Sequence, residues 1–371
     1  MKRIFIGIDG TANSAFFDKF YSNVYRINLA LQFRAKDGSP QLFFYFSGVG
    51  TASYKWLGLL GKAFGEGIDA LILQAYVNLV SNYEPDDKIY VFGFSRGAVA
   101  ARALTGLISR SGLVRYECSP LIATAWRHFL GDSNENYLAQ KHNVTHPEAG
   151  VDFLGVWDTV NGISPESAKK KSLFRQLRFA NFNLDASVKS GIHILSIDDT
   201  RKFFEPTPWE KASKTSQKME QIWLPGVHSD IGGGYSNSFI STVSLLTMID
   251  RLAEHCPDVD FDTNYIEDVL VQSLSEDGND IVINNEWSER FRILQYDRRR
   301  RCDSGAAELR QSVHPMLAAI EGQDIFCKTS RKKYAPTYTL SPADVALPVA
   351  EFGPSTYVAG PVADAIKAKL S

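Results

Sequence analysis

The stretch IYVFGFSRGAVAARALTG, from Ile89 to Gly106, constrains this chain more than any other. An apolar, β-branched and aromatic run enters the turn GFSRG, and small and aliphatic residues at helical spacing leave it. A buried strand that passes straight into a helix is the unit of an α/β sheet. In a nucleophile elbow such a turn holds a serine at its apex, and the flanking positions are glycines because a side chain there would crowd the strained backbone. Gly93 and Gly97 occupy the flanks and Ser95 the apex. The bland reading is a glycine-bearing corner with a small polar residue in it. Which reading holds depends on whether the rest of the chain supplies partners for the serine.

Short β-branched and aromatic runs predict further strands at Ile4–Ile8, Leu42–Phe46, Lys88–Phe92, Val151–Val156, Ile192–Ile197 and Glu220–Trp223. Helical periodicity runs from Ile68 to Val80 and again from Val99 to Ile108, with Gly112 as a stop. Strands alternating with helices predict an α/β fold of the α/β-hydrolase kind, a mostly parallel sheet with helices on both faces. Two regions break the alternation. PESAKKKSLFRQLRF, inside an insertion over residues 163–190, is basic and amphipathic; from about residue 250 to 371 the chain is helical, irregular and punctuated by proline. No linker-like composition separates the tail, so 1–371 reads as one domain with a core over residues 1–250.

The balance of 40 basic and 42 acidic residues leaves a net charge of −2, which gives no global field for nucleic acid. Cys118, Cys256, Cys302 and Cys327 are far apart and show no metal-ligand spacing, which suits reduced thiols in a chain synthesised in the cytoplasm. The N-terminus MKRIFIGIDGTANS has too short an apolar run for a signal peptide, and no run reaches the ~18 residues of a membrane span. Action outside the cytosol would need a dedicated secretion route.

A serine hydroxyl attacks only when a histidine takes its proton and a carboxylate orients that histidine. In α/β-hydrolases the chain order is serine, acid, histidine, so both partners must follow Ser95. All seven histidines do. His228, in QIWLPGVHSDIGGGY, directly follows a strand and precedes a glycine-rich loop, the place where α/β folds put their chemistry. His193 lies inside an apolar strand and His128 on a helix, where packing roles are expected. For the acid, VDFLGVWDTVNG offers Asp158 at a strand end midway between serine and histidine, with Asp198 and Asp230 as rivals. The backbone N–H of Arg96, with those of Gly10 and Thr11 after the first strand, is the candidate oxyanion hole. IDGTANS also suits a phosphate- or Mg²⁺-handling loop, which opens a competing class: a metal-dependent phosphatase centred on Asp9.

Six motifs in order resemble an uncharacterised α/β-hydrolase domain family that includes type VI secretion lipase effectors. They are IDGTANS, YFSGVGT (Tyr45–Thr51), AYVNLVSNYEPDDKIYVFGFSRGAVAARAL (Ala75–Leu104), GVWDTVNG (Gly155–Gly162), HILSIDDTRKFFEPT (His193–Thr207) and IWLPGVHSDIGGGY (Ile222–Tyr235). The resemblance implies hydrolysis of carboxylic esters, phospholipids among them, by Ser95, Asp158 and His228, without metal or organic cofactor. It also implies a delivery or immunity partner. The chain departs from the family pattern in carrying Asp199 where an IDE-type motif has glutamate, and in showing no large membrane-anchoring module. Independently, Lys169, Lys170, Lys171, Arg175 and Arg178 interleave with Phe174 and other apolar residues, a pattern suited to an anionic membrane surface or a lid. A solvated surface helix is the plain alternative. A non-catalytic scaffold with the same fold is the other alternative class; it would leave Ser95 unreactive.

Overall fold

The computed structural model describes residues 1–10, 13, 15, 19–48, 67–131, 135–160, 183–199, 201, 204–284, 310–327, 330–336 and 347–371. Thr11, Cys302 and the basic stretch Lys169–Phe179 lie outside the described residues.

Among the described residues the centre of the molecule is a seven-stranded sheet. Its strands are β1 (Arg3–Ile8), β2 (Gln41–Phe46), β3 (Lys88–Phe94), β4 (Val151–Trp157), β5 (Val188–Ser196), β6 (Lys218–Leu224) and β7 (Gln311–Val313). They stand in the order β7-β6-β5-β4-β3-β1-β2, and every neighbouring pair is parallel. Parallel strands need crossovers, and crossover helices cover both faces. The strands show it in their own alternation. Phe5, Tyr90, Phe92, Phe153 and Trp157 pack on one face with α1 (Asn23–Leu29) and a long helix, Phe239–His255. Ile4, Ile6, Ile8, Ile89, Val91, Leu154 and Val156 pack on the other with α2 (Ile68–Asn82) and α3 (Arg96–Ser111). Fully burying a side chain of this size contributes roughly 1.5–3 kcal/mol, and the sheet is lined with them on both sides.

The sequence-based strands match six of the seven. β5 begins four residues earlier than its apolar run, because Val188–Gly191 joins the ladder through backbone pairing with β4 and β6. The seventh strand, β7, has only three residues, and it comes from the C-terminal region to cover the edge of β6. Helices Pro315–Ile320 and Ala363–Leu370, also from that region, put Met316, Leu317, Ile320 and Ile366 into the same apolar cluster as the sheet. Described residues of the C-terminal region therefore share the apolar core of the sheet.

The chain order reverses between β1 and β3, since β2 flanks β1 on one side and β3 on the other. In open α/β sheets, ligands bind outside the carboxyl ends of the strands at such a switch point. Asp9 and Gly10 follow β1 there, and Ser95 follows β3.

Candidate active site

The turn after β3 is strained. Ser95 stands at φ 59°, ψ −124°, a conformation that L-residues rarely adopt and that persists only where the surroundings enforce it. The flanking glycines show what does so. A Cβ on Gly93 would lie 2.7 Å from the Cα of Ala98, and one on Gly97 would fall onto the carbonyl oxygens of Ile8 and Asp9. The elbow is thus pressed against the end of β1, and only glycine fits at both flanks. Ser95 is 7% exposed, and its N–H donates to the Trp157 carbonyl at 3.1 Å, which ties the elbow to the end of β4.

Asp158 is the next residue. It is fully buried at φ 36°, and its N–H donates to the Ile194 carbonyl of β5 at 2.7 Å. One carboxylate oxygen, Oδ1, accepts the Ser196 N–H at 3.0 Å; the other, Oδ2, lies 2.6 Å from His228 Nδ1. His228 opens a one-turn helix, His228–Gly232, directly beyond β6. Its ring lies 4.6 Å from that of Phe94, the residue before Ser95, and Gly232 packs so tightly on Phe94 that no Cβ would fit. A carboxylate can only accept at Nδ1, so the hydrogen-bond network assigns the proton there and leaves the basic lone pair on Nε2 in the neutral ring. Nε2 is buried and has no hydrogen-bond partner, so Ser95 Oγ and Nε2 are not bonded to each other in this structure.

The two rival aspartates do other work. Asp198 Oδ2 accepts the Gly226 N–H at 2.7 Å and the Tyr334 hydroxyl at 2.9 Å. Asp230 Oδ2 accepts the Val227 N–H at 2.9 Å, and its Oδ1 the Asn284 side-chain amide at 2.6 Å; burial pushes this carboxyl up to about 7. Of the three aspartates, Asp158 is the one that meets the imidazole at Nδ1. His193, as its strand position suggests, is structural: it is fully buried, its Nε2 accepts the Thr159 N–H at 3.1 Å, and burial pushes it down to about 3. That bond also steadies the loop that carries Asp158.

The oxyanion candidates separate. Arg96 is the first residue of α3, where backbone N–H groups point out of the helix end toward negative charge. Its buried guanidinium is pushed down to about 10 by desolvation. Gly10 N–H, by contrast, donates to Asp9 Oδ1 at 2.7 Å, so it is turned to that carboxylate rather than to an ester oxygen. Asp9 Oδ2 accepts from the hydroxyls of Ser22 and Tyr45, each at 2.6 Å. The carboxylate on which a phosphatase would depend thus ties the end of β1 to α1 and β2. Among the described residues no group of three or more His, Cys, Asp or Glu side chains is placed to hold a metal ion. Sequence reasoning did not single out Phe94 or Ser196. Their contacts join segments far apart in the chain, and neither residue type signals a site by itself.

The family model described as "T6SS, Phospholipase effector Tle1-like, catalytic domain" matches residues 2–251. A relative in Saccharomyces cerevisiae, the uncharacterized protein YEL023C, is 29% identical over 238 residues, covering 56% of this chain and 33% of that protein. The Tle1 effector, solved bound to the VgrG spike from the Type 6 secretion system, aligns over 64% of this chain and 52% of its own, at 23% identity and a TM-score of 0.36. An uncharacterized protein from Pseudomonas aeruginosa aligns over 70% of this chain and 46% of its own, at 17% identity and a TM-score of 0.39. The chain spans about a third of the yeast relative and about half of each of these two structures. With the family model spanning the switch point, the elbow and the Asp158–His228 pair, this chain belongs to the Tle1-like phospholipase effector catalytic-domain family.

Proposed function

We propose that the chain is a serine hydrolase that cleaves carboxylic esters of phospholipids through an acyl-enzyme on Ser95. The observation that carries this reading is the 2.6 Å bond from His228 Nδ1 to the buried Asp158, beside a strained Ser95 at the end of β3. Rotation of the Ser95 hydroxyl toward Nε2 starts the reaction; such bonds are often open before substrate arrives. As Oγ attacks the ester carbonyl carbon, its proton passes to Nε2, and Asp158 stabilises the imidazolium that results. The negative charge on the former carbonyl oxygen meets the N–H of Arg96, with Thr11 as the remaining sequence candidate for a second donor. Collapse of the intermediate expels the alcohol, which takes the proton from Nε2. Water then attacks the acyl-enzyme with His228 again as base, releasing a fatty acid and restoring Ser95.

The family supports phospholipid as the substrate class, and the basic, aromatic stretch at Lys169–Phe179, between acid and histidine in the chain, supports contact with anionic lipid. Among the described residues no helix is long and apolar enough to cross a membrane. Delivery by a type VI secretion system, as the description of the family suggests, is part of the same proposal.

The test compares wild type with Ser95→Ala on vesicles of mixed phospholipid, reading released fatty acid by mass spectrometry and Ser95 by a fluorophosphonate label. Wild type should release fatty acid and take the label, and the variant should do neither. Labelling that survives in Ser95→Ala removes the nucleophile assignment. Labelling without phospholipid turnover, but with turnover of small esters, removes the substrate class.

A further inference from the structure

We propose that Asp199, Arg201 and Phe204 are positioning residues for His228, on a bracket that extends from the end of β5; the proposal rests on the Ser95–His228–Asp158 reading above. β5 lies between β4, which carries Asp158, and β6, which carries the His228 loop. It contributes neither of those residues, yet the segment from Ser196 to Asp199 grips both. Ser196 N–H holds Asp158 Oδ1. Ile197 N–H donates to Leu224 O at 3.1 Å and Asp198 N–H to Gly226 O at 3.0 Å, while the Asp198 carboxylate takes the Gly226 N–H in return. Asp199 Oδ2 then accepts the backbone N–H of His228 itself, at 3.2 Å.

Asp199 is fully buried and held in a fork by Arg201. Arg201 Nη2 lies 2.6 Å from Oδ2, Nε lies 3.1 and 3.2 Å from the two oxygens, and the Arg201 N–H donates to Oδ1 at 3.0 Å. The same guanidinium stacks on the Phe204 ring, its carbon 3.6 Å from the centroid. The Phe204 ring in turn meets the His228 ring at 4.8 Å and 72°. One short segment thus reaches the histidine twice, at its backbone through Asp199 and at its ring through Phe204, with Arg201 joining the two contacts.

Burying the Asp199 carboxylate beneath a partly exposed guanidinium is a costly way to fill space, since apolar residues of similar volume are often neutral or stabilising in place of a buried ion pair. What the pair supplies is placement. Asp158 fixes one atom of the imidazole, Nδ1, and leaves the ring free to tilt about that point. The Phe204 and Phe94 rings limit the tilt, and the Asp199 bond fixes the backbone from which the ring hangs. Nε2 must face both Ser95 Oγ and the leaving oxygen, and a displacement of about 1 Å in such a group can cost 10²-fold in rate.

The test uses the full chain, a soluble short-chain p-nitrophenyl ester and fluorophosphonate labelling of Ser95. Asp199→Asn and Phe204→Leu should each lower kcat by roughly ten- to a hundredfold with KM within about twofold, and slow labelling by the same factor. Phe204→Tyr keeps the ring and should recover most of the rate. Arg201→Lys should not, because an ammonium cannot fork onto both Asp199 oxygens or stack as a plane. Phe204 is only partly buried, so its two variants decide the matter if Asp199→Asn does not fold. Wild-type kcat in Phe204→Leu, equal losses in Phe204→Leu and Phe204→Tyr, or a change confined to KM would each overturn the proposal. A wild type that is neither active nor labelled overturns the Ser95 reading itself, and this proposal with it.

Discussion

At the scale of single residues, the site turns on which carboxylate faces the imidazole. Asp158 is held in a strained backbone at φ 36° with one oxygen on a backbone N–H and the other on Nδ1. Replacement by asparagine keeps the shape but removes the charge, and its amide can settle the ring in the wrong tautomer. Asp158→Asn should therefore lower kcat by about 10³–10⁴, as tautomer-reversing changes do in serine triads, with little change in KM. Steady-state kinetics on a soluble ester measure this. A loss under tenfold would move the orienting role away from Asp158. Asp230 follows His228 and so breaks the chain-order rule, but Asp198 fits it as well as Asp158 does, and nothing in the local sequence ranks one above the other. What separates them is a contact across 70 positions, the 2.6 Å bond to His228, which local patterning does not encode.

At the scale of elements, the sheet was legible wherever a strand was long and apolar. β1, β3 and β4 are buried on both faces, so their runs are almost wholly apolar and read directly. The elbow was legible for a different reason: Gly93 and Gly97 are steric necessities, and necessity leaves a local pattern. β7 was not legible. Gln311–Val313 has three residues and two polar ones, and it is a strand only because β6 offers an unpaired edge. Gln311 Oε1 also accepts the buried Trp223 indole N–H at 2.9 Å. A chain cut after residue 251, where the family match ends, loses that cover together with the C-terminal share of the apolar cluster. The exposed edge of β6 is then a template for pairing between copies. The truncated protein should be largely insoluble or run as large aggregates in size-exclusion chromatography. A monodisperse monomer with a cooperative unfolding transition would show that β7 and its helices are dispensable to the body.

At the scale of the whole molecule, buried titratable groups pull stability in opposite directions with pH. Burial pushes His193 and His314 down to about 3, so each is neutral in the fold, while in the unfolded chain each would titrate near the usual 6.5. Between those values the unfolded chain binds more protons, so stability is lost as pH falls through 6.5 toward 3. Burial pushes Asp230 up to about 7 and Asp250 up to about 6, so the fold retains protons that the unfolded chain releases near 4. Their contribution falls as pH rises through that window, and the two trends offset each other between pH 4 and 6. His314 isolates one of them. It is fully buried, its Nδ1 accepts the Met316 N–H at 3.1 Å to cap Pro315–Ile320, and its Nε2 lies 3.1 Å from the Thr247 hydroxyl. Asparagine can keep the cap but cannot fill the ring's volume, so His314→Asn should destabilise the protein at pH 7 by leaving a cavity. At pH 4.5 the wild type bears the cost of keeping His314 neutral and the variant does not. The destabilisation should therefore shrink by on the order of 2 kcal/mol, about two pKa units below 6.5. Urea unfolding of both proteins at the two pH values measures the difference, and an equal penalty at pH 7 and 4.5 would mean that His314 is not held neutral by the fold.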